Sequence, residues 1–234
     1  MHLNTIPPLK ASEQLFAIEL NKLGKKFNGH WIFRNINLHL NKGDTLAVLG
    51  ANGSGKSTLL QIIAGSLSPS EGSIHYFKNA AQTRIESDEI FRHLTICAPY
   101  LDLLEDFTLT EILQFHFRLK PLLKGLDLRT LIDIIELSQS QNKPLQQFSS
   151  GMRQRVKLAL AIFTDNPLLL LDEPTANLDH QAIQWYRNLI ETYCKEKTIV
   201  VCSNRQLDEH WFCKRSLVIE DYKPFAGNVS AKRL

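Results

Sequence analysis

The sequence predicts an α/β fold with a mainly parallel sheet, an antiparallel β subdomain near the N-terminus and a helical insertion. Apolar residues recur with a period of two at residues 16–20 and 36–40, which is typical of half-buried antiparallel strands. In the second half of the chain, short apolar runs alternate with a helical pattern, which indicates a parallel sheet. Residues 104–163 have mainly helical patterns, and these predict the insertion.

The first half of the chain begins with residues 1–14, which are expected to form a loose arm. Asp44–Leu49 is a short and nearly continuous apolar run, as expected of a strand that is buried on both faces. A glycine-rich loop follows this run, and a helix is predicted to begin at Ser57. Apolar alternation at residues 74–76 predicts one more strand at the edge of the antiparallel subdomain.

The second half carries the clearest helical signal. A helix is predicted from Ser150 to Phe163, because its apolar residues fall on one stripe. Two buried strands are predicted at Leu168–Leu171 and Thr198–Cys202, and a helix from about His180 to Lys195 separates them. Strands that alternate with helices in this way are typical of a parallel sheet covered by helices.

We expect one compact domain over residues 15–222, with a helical subdomain at about 100–163 and a tail at 223–234. The chain has 234 residues, 44% of them hydrophobic, which is ordinary for a globular protein. Its net charge is only +3, so no nucleic-acid partner is expected.

Neither a membrane span nor a cysteine-based site is expected. The longest apolar runs are far shorter than the roughly 20 residues that cross a bilayer, and the first residues do not resemble a secretory signal. The cysteines form no C-x-x-C pair and are expected to be reduced, mostly buried thiols: Cys97, Cys194, Cys202 and Cys213.

Residues 50–58 carry a phosphate-loop motif. The run Gly50-Ala51-Asn52-Gly53-Ser54-Gly55-Lys56-Ser57 fits G-x-x-x-x-G-K-[ST], lies between a predicted strand and a predicted helix, and is followed by Thr58. Glycines let successive backbone N–H groups point at phosphate oxygens, and the helix N-terminus favours negative charge. Lys56 offers a charge to the β- and γ-phosphates, and the Ser57 hydroxyl can bind magnesium. The motif predicts ATP and Mg²⁺ as ligands.

Two carboxylates end the buried strand at Leu168–Leu171. Asp172 is placed to complete the magnesium site beside the phosphate loop. Glu173 is one residue further along and is expected to point the other way along the pleat, where it could polarise the attacking water. We therefore expect Glu173 to be the catalytic residue.

A third motif lies between these two, at the start of the predicted 150–163 helix. It reads Phe148-Ser149-Ser150-Gly151-Met152-Arg153-Gln154-Arg155. With it the sequence resembles the ATP-binding-cassette (ABC) family, whose signature is usually LSGGQ followed by a basic, glutamine-containing helix start. The resemblance covers roughly residues 15–222 and implies a P-loop NTPase core of the RecA-like type.

The resemblance implies a head-to-tail dimer, either of two identical copies or with a similar ATPase subunit. ATP held by Lys56 of one copy would be covered by three residues of the other: Ser149, Ser150 and Gly151. Asp179 matches the family's D-loop, which links the two sites across the interface. Phe27 matches the aromatic residue that stacks on adenine.

The resemblance also implies a separate transmembrane permease subunit that this chain powers. That partner is expected to dock near residues 100–110, which places the chain in the cytoplasm on the inner face of the cell membrane. The permease would select the transported substrate. The sequence shows no sizeable carboxy-terminal regulatory domain, which favours export.

Three features depart from the family pattern. The signature has Ser150 at the first glycine and Met152 at the usual glutamine, and two single positions differ in ways that affect chemistry. The glutamine that contacts magnesium and the membrane partner aligns with Tyr100, and the switch histidine aligns with Asn204. Asparagine can donate a hydrogen bond to a γ-phosphate, but it is shorter than histidine and carries no charge. We expect ATP binding and dimer closure to be retained and hydrolysis to be slower than is usual for the family.

Other functions fit the sequence less well. Translation and repair ATPases of the family generally carry two cassettes or a long coiled-coil insertion, and neither is seen. A small-molecule kinase would not explain residues 148–152. An ATP-dependent clamp that regulates a partner and seldom hydrolyses stays open, because of Tyr100 and Asn204.

Overall fold

The computed structural model describes residues 16–78 and 83–224. The arm predicted at residues 1–14 and most of the predicted tail lie outside these ranges. The described residues form nine strands: β1 (Phe16–Phe27), β2 (His30–Leu40), β3 (Thr45–Leu49), β4 (Glu71–Lys78), β5 (Thr83–Ile85), β6 (Leu94–Cys97), β7 (Leu168–Asp172), β8 (Thr198–Ser203) and β9 (Arg215–Val218).

Six α-helices are described: α1 (Lys56–Ile63), α2 (Leu109–Leu119), α3 (Leu128–Ile135), α4 (Ser150–Ile162), α5 (His180–Tyr193) and α6 (Leu207–His210). Short 3-10 turns connect them at Ile90–Arg92, Ser138–Ser140, Leu145–Gln147 and Ile219–Tyr222. Across the described ranges, no helix combines the length and apolar character that crossing a membrane requires.

The strands form two sheets, as the sequence patterns predict. The antiparallel sheet has the order β2-β1-β4-β5. The prediction that residues 74–76 lie in an edge strand is wrong, because Tyr76 of β4 pairs with Ile18 of β1 on one side and with Ile85 of β5 on the other. The sequence patterns do not reveal β5, since a three-residue strand is too short to show a period of two.

The second sheet is parallel throughout and has the order β6-β7-β8-β3-β9. All five residues of β7 and all six of β8 are buried, which explains their nearly continuous apolar sequences. The sequence patterns do not reveal β6 and β9, which have four residues each. The phosphate-loop helix α1 and the strands of both sheets share one hydrophobic core.

Helices α2, α3 and α4 lie within the predicted insertion. They share a second hydrophobic core with α5, built around residues such as Leu113, Leu131, Val156 and Tyr186. The helix predicted from Ser150 to Phe163 is confirmed to within one residue at its end. The next predicted helix ends at Tyr193, two residues earlier than expected.

Sheet order determines where the predicted motifs meet. Strands β7, β8 and β3 are consecutive neighbours in the parallel sheet, so their carboxyl ends lie at the same edge. Gly50 follows β3, Glu173 follows β7 and Asn204 follows β8. Ligands of open α/β sheets bind at this edge, and the three loops together therefore outline the candidate site.

Candidate functional site

The loop between β3 and α1 has a backbone that requires glycine at two points. Gly53 and Gly55 have φ angles of 74° and 111°, a region that side chains strongly disfavour. A Cβ atom on Gly55 would lie 2.4 Å from Cγ2 of Ile32, so the loop packs directly against β2. The loop is thus held in a shape that exposes backbone N–H groups ahead of the N-terminus of α1.

Lys56 is buried inside this loop with its side chain only 4% exposed. Its ammonium donates hydrogen bonds to the carbonyl oxygens of Gly50 and Ala51, each at 3.1 Å, and its Nζ lies 3.8 Å from Oε1 of Glu173. The hydroxyl of Ser54 is also buried and has no hydrogen-bond partner among the described residues. A buried cation beside an unpartnered hydroxyl is a suitable surrounding for a phosphate group.

Asp172, the last residue of β7, is 2% exposed, and its buried Oδ1 atom has no hydrogen-bond partner within residues 16–78 and 83–224. Burial raises the pKa of this carboxyl, as does the charge of Glu173, whereas a hydrogen bond with Ser57 and the charge of Lys56 lower the pKa. A buried carboxylate oxygen without a donor needs an explanation. Because Mg²⁺ takes oxygen ligands, the pair of Asp172 and Ser57 fits that ion.

Glu173 does not lie on the opposite face of the pleat, as the sequence suggested, because β7 ends at Asp172. Its φ angle is 46°, and its backbone N–H donates to the carbonyl oxygen of Cys202 at 3.0 Å. This left-handed turn brings the carboxylate to Lys56, although its side chain remains 30% exposed. Glu173 therefore combines access to water with a position beside the phosphate loop.

The two positions that depart from the family pattern border this site. Asn204 directly follows β8, is half-buried, and makes no hydrogen bond through its side chain to any residue in the described ranges. Tyr100 lies three residues after β6 and is 45% exposed. Partial burial raises the pKa of Tyr100 to about 12, and a hydrogen bond with Gln61 of α1 opposes the rise. No local sequence pattern indicates this contact with Gln61.

Phe27 lies at the end of β1, on the hairpin whose second strand contacts Gly55 through Ile32. Its ring is 44% exposed, and Nζ of Lys25 lies 4.9 Å from the ring centroid. An exposed aromatic ring at the border of the loop is accessible to a purine base.

The third motif opens helix α4, which contacts residues 173–179, the loop between β7 and α5 that we call the β7 loop. Ser149 is the N-cap, and its hydroxyl accepts a hydrogen bond from the N–H of Met152 at 3.2 Å. Ser149 and Ser150 are both exposed. Within the described ranges, no hydrogen bond joins either serine to residues 50–58. The helix terminus thus presents hydroxyls and N–H groups to the surroundings rather than to its own phosphate loop.

Helix α4 is fastened to the loop that follows Glu173. A Cβ atom on Gly151 would lie 2.9 Å from the carbonyl oxygen of Asn177, and Nε2 of Gln154 donates to the carbonyl oxygen of Pro174 at 2.8 Å. At the end of this loop, Asp179 caps α5 by accepting a hydrogen bond from the N–H of Ala182 at 2.8 Å. The third motif and the β7 loop therefore form one connected unit.

Glu220 is a site residue that the sequence analysis missed. Its Oε1 atom accepts a hydrogen bond from the N–H of Ala51 at 2.7 Å, and this bond is the main reason that the pKa of Glu220 is lowered. The contact joins positions 169 residues apart, so no local sequence signal could reveal it.

Three of the four free cysteines are buried, as predicted, and Cys213 is partly exposed.

Comparisons with known proteins agree with this geometry. A family model described as "ABC transporter" matches residues 33–176. The chain is 30% identical over 191 residues to "Uncharacterized ABC transporter ATP-binding protein YcbN" of Bacillus subtilis, covering 81% of this chain and 62% of that protein. It is 33% identical over 179 residues to "Cytochrome c biogenesis ATP-binding export protein CcmA" of Reclinomonas americana, covering 74% and 77%.

Solved structures show the same fold. A putative ABC transporter ATP-binding protein from Pyrococcus furiosus superposes with a TM-score of 0.72 at 19% sequence identity, covering 89% of this chain and 100% of that one. A structure titled "Structure of ATP binding subunit of ABC transporter" also superposes with a TM-score of 0.72, at 23% identity, covering 87% and 86%.

Proposed function

This chain belongs to the ABC transporter family, and from that premise we propose that it binds and hydrolyses ATP to power a separate membrane-spanning subunit. One observation carries the proposal more than any other: the unpartnered, buried Oδ1 of Asp172 beside Ser57, at the edge that also holds Lys56 and Glu173. This arrangement places a metal-binding carboxylate, a phosphate-binding cation and a water-accessible carboxylate together.

Each residue has a distinct role in the proposed reaction. Lys56 and the N–H groups of residues 55–58 hold the phosphates, and Ser57 and Asp172 would hold Mg²⁺. When bound, Mg²⁺ neutralises charge that develops on the β- and γ-phosphate oxygens. Glu173 orients a water molecule and accepts its proton as the water oxygen bonds to the γ-phosphorus. The bond from the γ-phosphorus to the bridging oxygen breaks, leaving ADP and phosphate.

The second half of the nucleotide site comes from another copy. Ser149 and Ser150 are exposed at the N-terminus of α4, where backbone N–H groups and the helix dipole favour a phosphate. These serines make no hydrogen bond to the phosphate loop of their own chain within the described ranges. In a head-to-tail dimer they cover the γ-phosphate of ATP on the partner, and Asp179 lies at the interface.

The membrane partner docks on an exposed apolar surface beside Tyr100. In this docking surface, large hydrophobic side chains are more than a third exposed: Tyr100, Leu101, Leu104, Phe115 and Leu119. The surface joins the strand end before Tyr100 to helix α2 of the insertion, so relative movement of these parts would be transmitted to the partner. Docking there places the chain in the cytoplasm at the inner face of the membrane.

Relatives do not establish the direction of transport. CcmA of Reclinomonas americana is named an export protein, whereas a 34% identical relative in Mesostigma viride, CysA, is named a sulfate/thiosulfate import protein. The proposal therefore concerns the ATPase cycle and leaves the transported substrate to the membrane partner.

A steady-state assay of phosphate release tests the proposed reaction. Replacing Lys56 with alanine or Glu173 with glutamine should lower kcat about 10²- to 10³-fold, the loss typical of removing one preorganised group. Lys42→Ala is the matched control, because Lys42 is a surface lysine whose recorded ion pair is with Glu196. A wild-type protein that binds ATP but hydrolyses no faster than Glu173→Gln would instead be a regulatory clamp.

A further inference from the structure

Arg205 lies at the carboxyl edge of the parallel sheet, between the loop after β7 and the phosphate loop after β3. It is the second residue after β8, the strand that lies between β7 and β3. The carbonyl oxygen of Cys202 accepts the N–H of Glu173 at 3.0 Å, and the carbonyl oxygen of Ser203 accepts the N–H of Gly50 at 3.2 Å. The backbone just before Arg205 is therefore bonded both to the catalytic carboxylate residue and to the phosphate loop.

The backbone of Arg205 is strained. Its φ angle is 76°, in the left-handed region that residues with long side chains rarely adopt. Strain of this kind costs free energy and is found preferentially at functional sites, where the surrounding structure maintains it. Glycine would adopt this conformation without strain, so the arginine side chain itself needs an explanation.

The guanidinium of Arg205 is not paired with any carboxylate in the described ranges. Its side chain is exposed, and it forms no hydrogen bond and no ion pair with any residue in 16–78 or 83–224. Its charge nevertheless acts on Glu220, whose carboxylate accepts the N–H of Ala51 at the start of the phosphate loop. The guanidinium is thus an exposed cation on the strand end that is hydrogen-bonded to that loop.

The proposed reaction needs positive charge at this edge. The γ-phosphate gathers negative charge on its oxygens as it is transferred, and Arg is suited to such groups because it donates several hydrogen bonds from one plane. Asn204 lies next to the site but carries no charge. Lys223 also acts on Glu220, but it follows β9, which lies three strands from β7, whereas Arg205 follows β8, which pairs with β7 directly.

We propose that Arg205 donates hydrogen bonds to the γ-phosphate of ATP and stabilises the transition state of hydrolysis. The inference rests on the proposed function and names a further catalytic residue for it. Arg205 then supplies the charge that Asn204 lacks. The expectation of slow hydrolysis rests on Tyr100 and Asn204 together, and with Arg205 in this role it no longer follows from Asn204.

Arg205→Gly separates catalysis from folding. Because glycine relieves the strain, the melting temperature should be unchanged or higher, while kcat should fall about 10²- to 10³-fold with little change in ATP affinity. Lys22→Gly is a matched control, since Lys22 is an exposed cation with a φ angle of 48° on β1, far along the chain. Lys223→Ala controls for general loss of positive charge near Glu220.

Arg205→Lys should retain part of the rate, because the charge remains. A kcat of Arg205→Gly within about threefold of wild type would overturn the inference, as would an equal loss in Lys223→Ala. If Lys56→Ala also left hydrolysis unchanged, the proposed function itself would fail. A loss in Lys56→Ala with none in Arg205→Gly would overturn only the role of Arg205.

Arg205→His provides a readout that a purely structural role would not alter. Histidine is tolerated in the left-handed region, and its ordinary pKa near 6.5 makes its charge depend on pH. Relative to wild type, this variant should hydrolyse ATP faster at pH 6 than at pH 8, because the imidazole loses its proton over that interval. A constant ratio between pH 6 and pH 8 would contradict the inference.

Discussion

The buried surroundings of Asp172 disfavour the negative charge of its carboxylate. Burial raises the pKa of its carboxyl above the unfolded value, so the ionised form destabilises the folded protein at neutral pH. That penalty is absent when the group is protonated and grows as pH rises above the unfolded pKa. A residue that keeps such a charge without a hydrogen-bond donor for Oδ1 is expected to serve a ligand.

Replacing Asp172 with asparagine should therefore stabilise the folded protein and lower its ATPase activity. The melting temperature at pH 7 should rise, and the difference from wild type should shrink as pH falls through the acidic range. Magnesium-dependent hydrolysis should fall at least about 10- to 100-fold. Thermal melts from pH 4 to pH 8, with Asp88→Asn as an exposed control, measure the first effect. A lower melting temperature at pH 7 would contradict this account of Asp172.

The phosphate loop could be predicted at residue resolution because its residues are contiguous and its chemistry restricts each position. Sequence reasoning could not place Glu220 or Gln61, which reach the site through tertiary contacts. It also predicted the wrong direction for the Glu173 side chain, because a left-handed turn after β7 replaces the pleat that it assumed.

Among the elements, helix α4 has an N-terminus with two proposed roles: it caps the helix, and it binds the phosphate in a partner's site. Ser149 caps the helix, and Gly151 lets it approach the carbonyl oxygen of Asn177 in the β7 loop. Capping contributes stability, whereas phosphate binding in a partner's site requires a neutral or positive surface. A substitution that keeps one property and removes the other can therefore separate them.

Ser149→Asp should fold as well as wild type, because aspartate is an equally good N-cap and the helix dipole favours its charge. It should nevertheless prevent ATP-dependent dimerisation, because its carboxylate would repel the γ-phosphate bound to the partner. Ser149→Ala should lose about 1 kcal/mol of stability. Urea melts and light scattering measure these effects, and Asp127→Ser, at the N-cap of α3, is the control. Dimerisation of Ser149→Asp at wild-type ATP concentrations would rule out the proposed contact.

Long, strongly patterned elements such as β7, β8 and α4 were predictable because burial determines their periodicity. Short strands could not be predicted from their sequence patterns. Strand β9 has only four residues, and its first two, Arg215 and Ser216, are exposed. Among the described strands it pairs with β3 alone and lies at the sheet edge, where a strong apolar pattern is not required.

For the whole molecule, the important feature is a nucleotide site divided between two surfaces of one chain. One surface holds Lys56, Asp172 and Glu173, and the other exposes Ser149 and Ser150 with no hydrogen bond between them in the described ranges. The sequence predicted the motifs and their roles by resemblance. The structure adds that the β7 loop connects them, through the contacts of α4 with Pro174 and Asn177.

The oligomeric state of Glu173→Gln tests this account most directly. With saturating ATP and Mg²⁺, light scattering should show a dimer, because the nucleotide would bind but not be hydrolysed. The dimer should revert to monomer without nucleotide or when Lys56→Ala is added. A Glu173→Gln protein that stays monomeric under these conditions, both alone and together with its membrane partner, would contradict the shared nucleotide site.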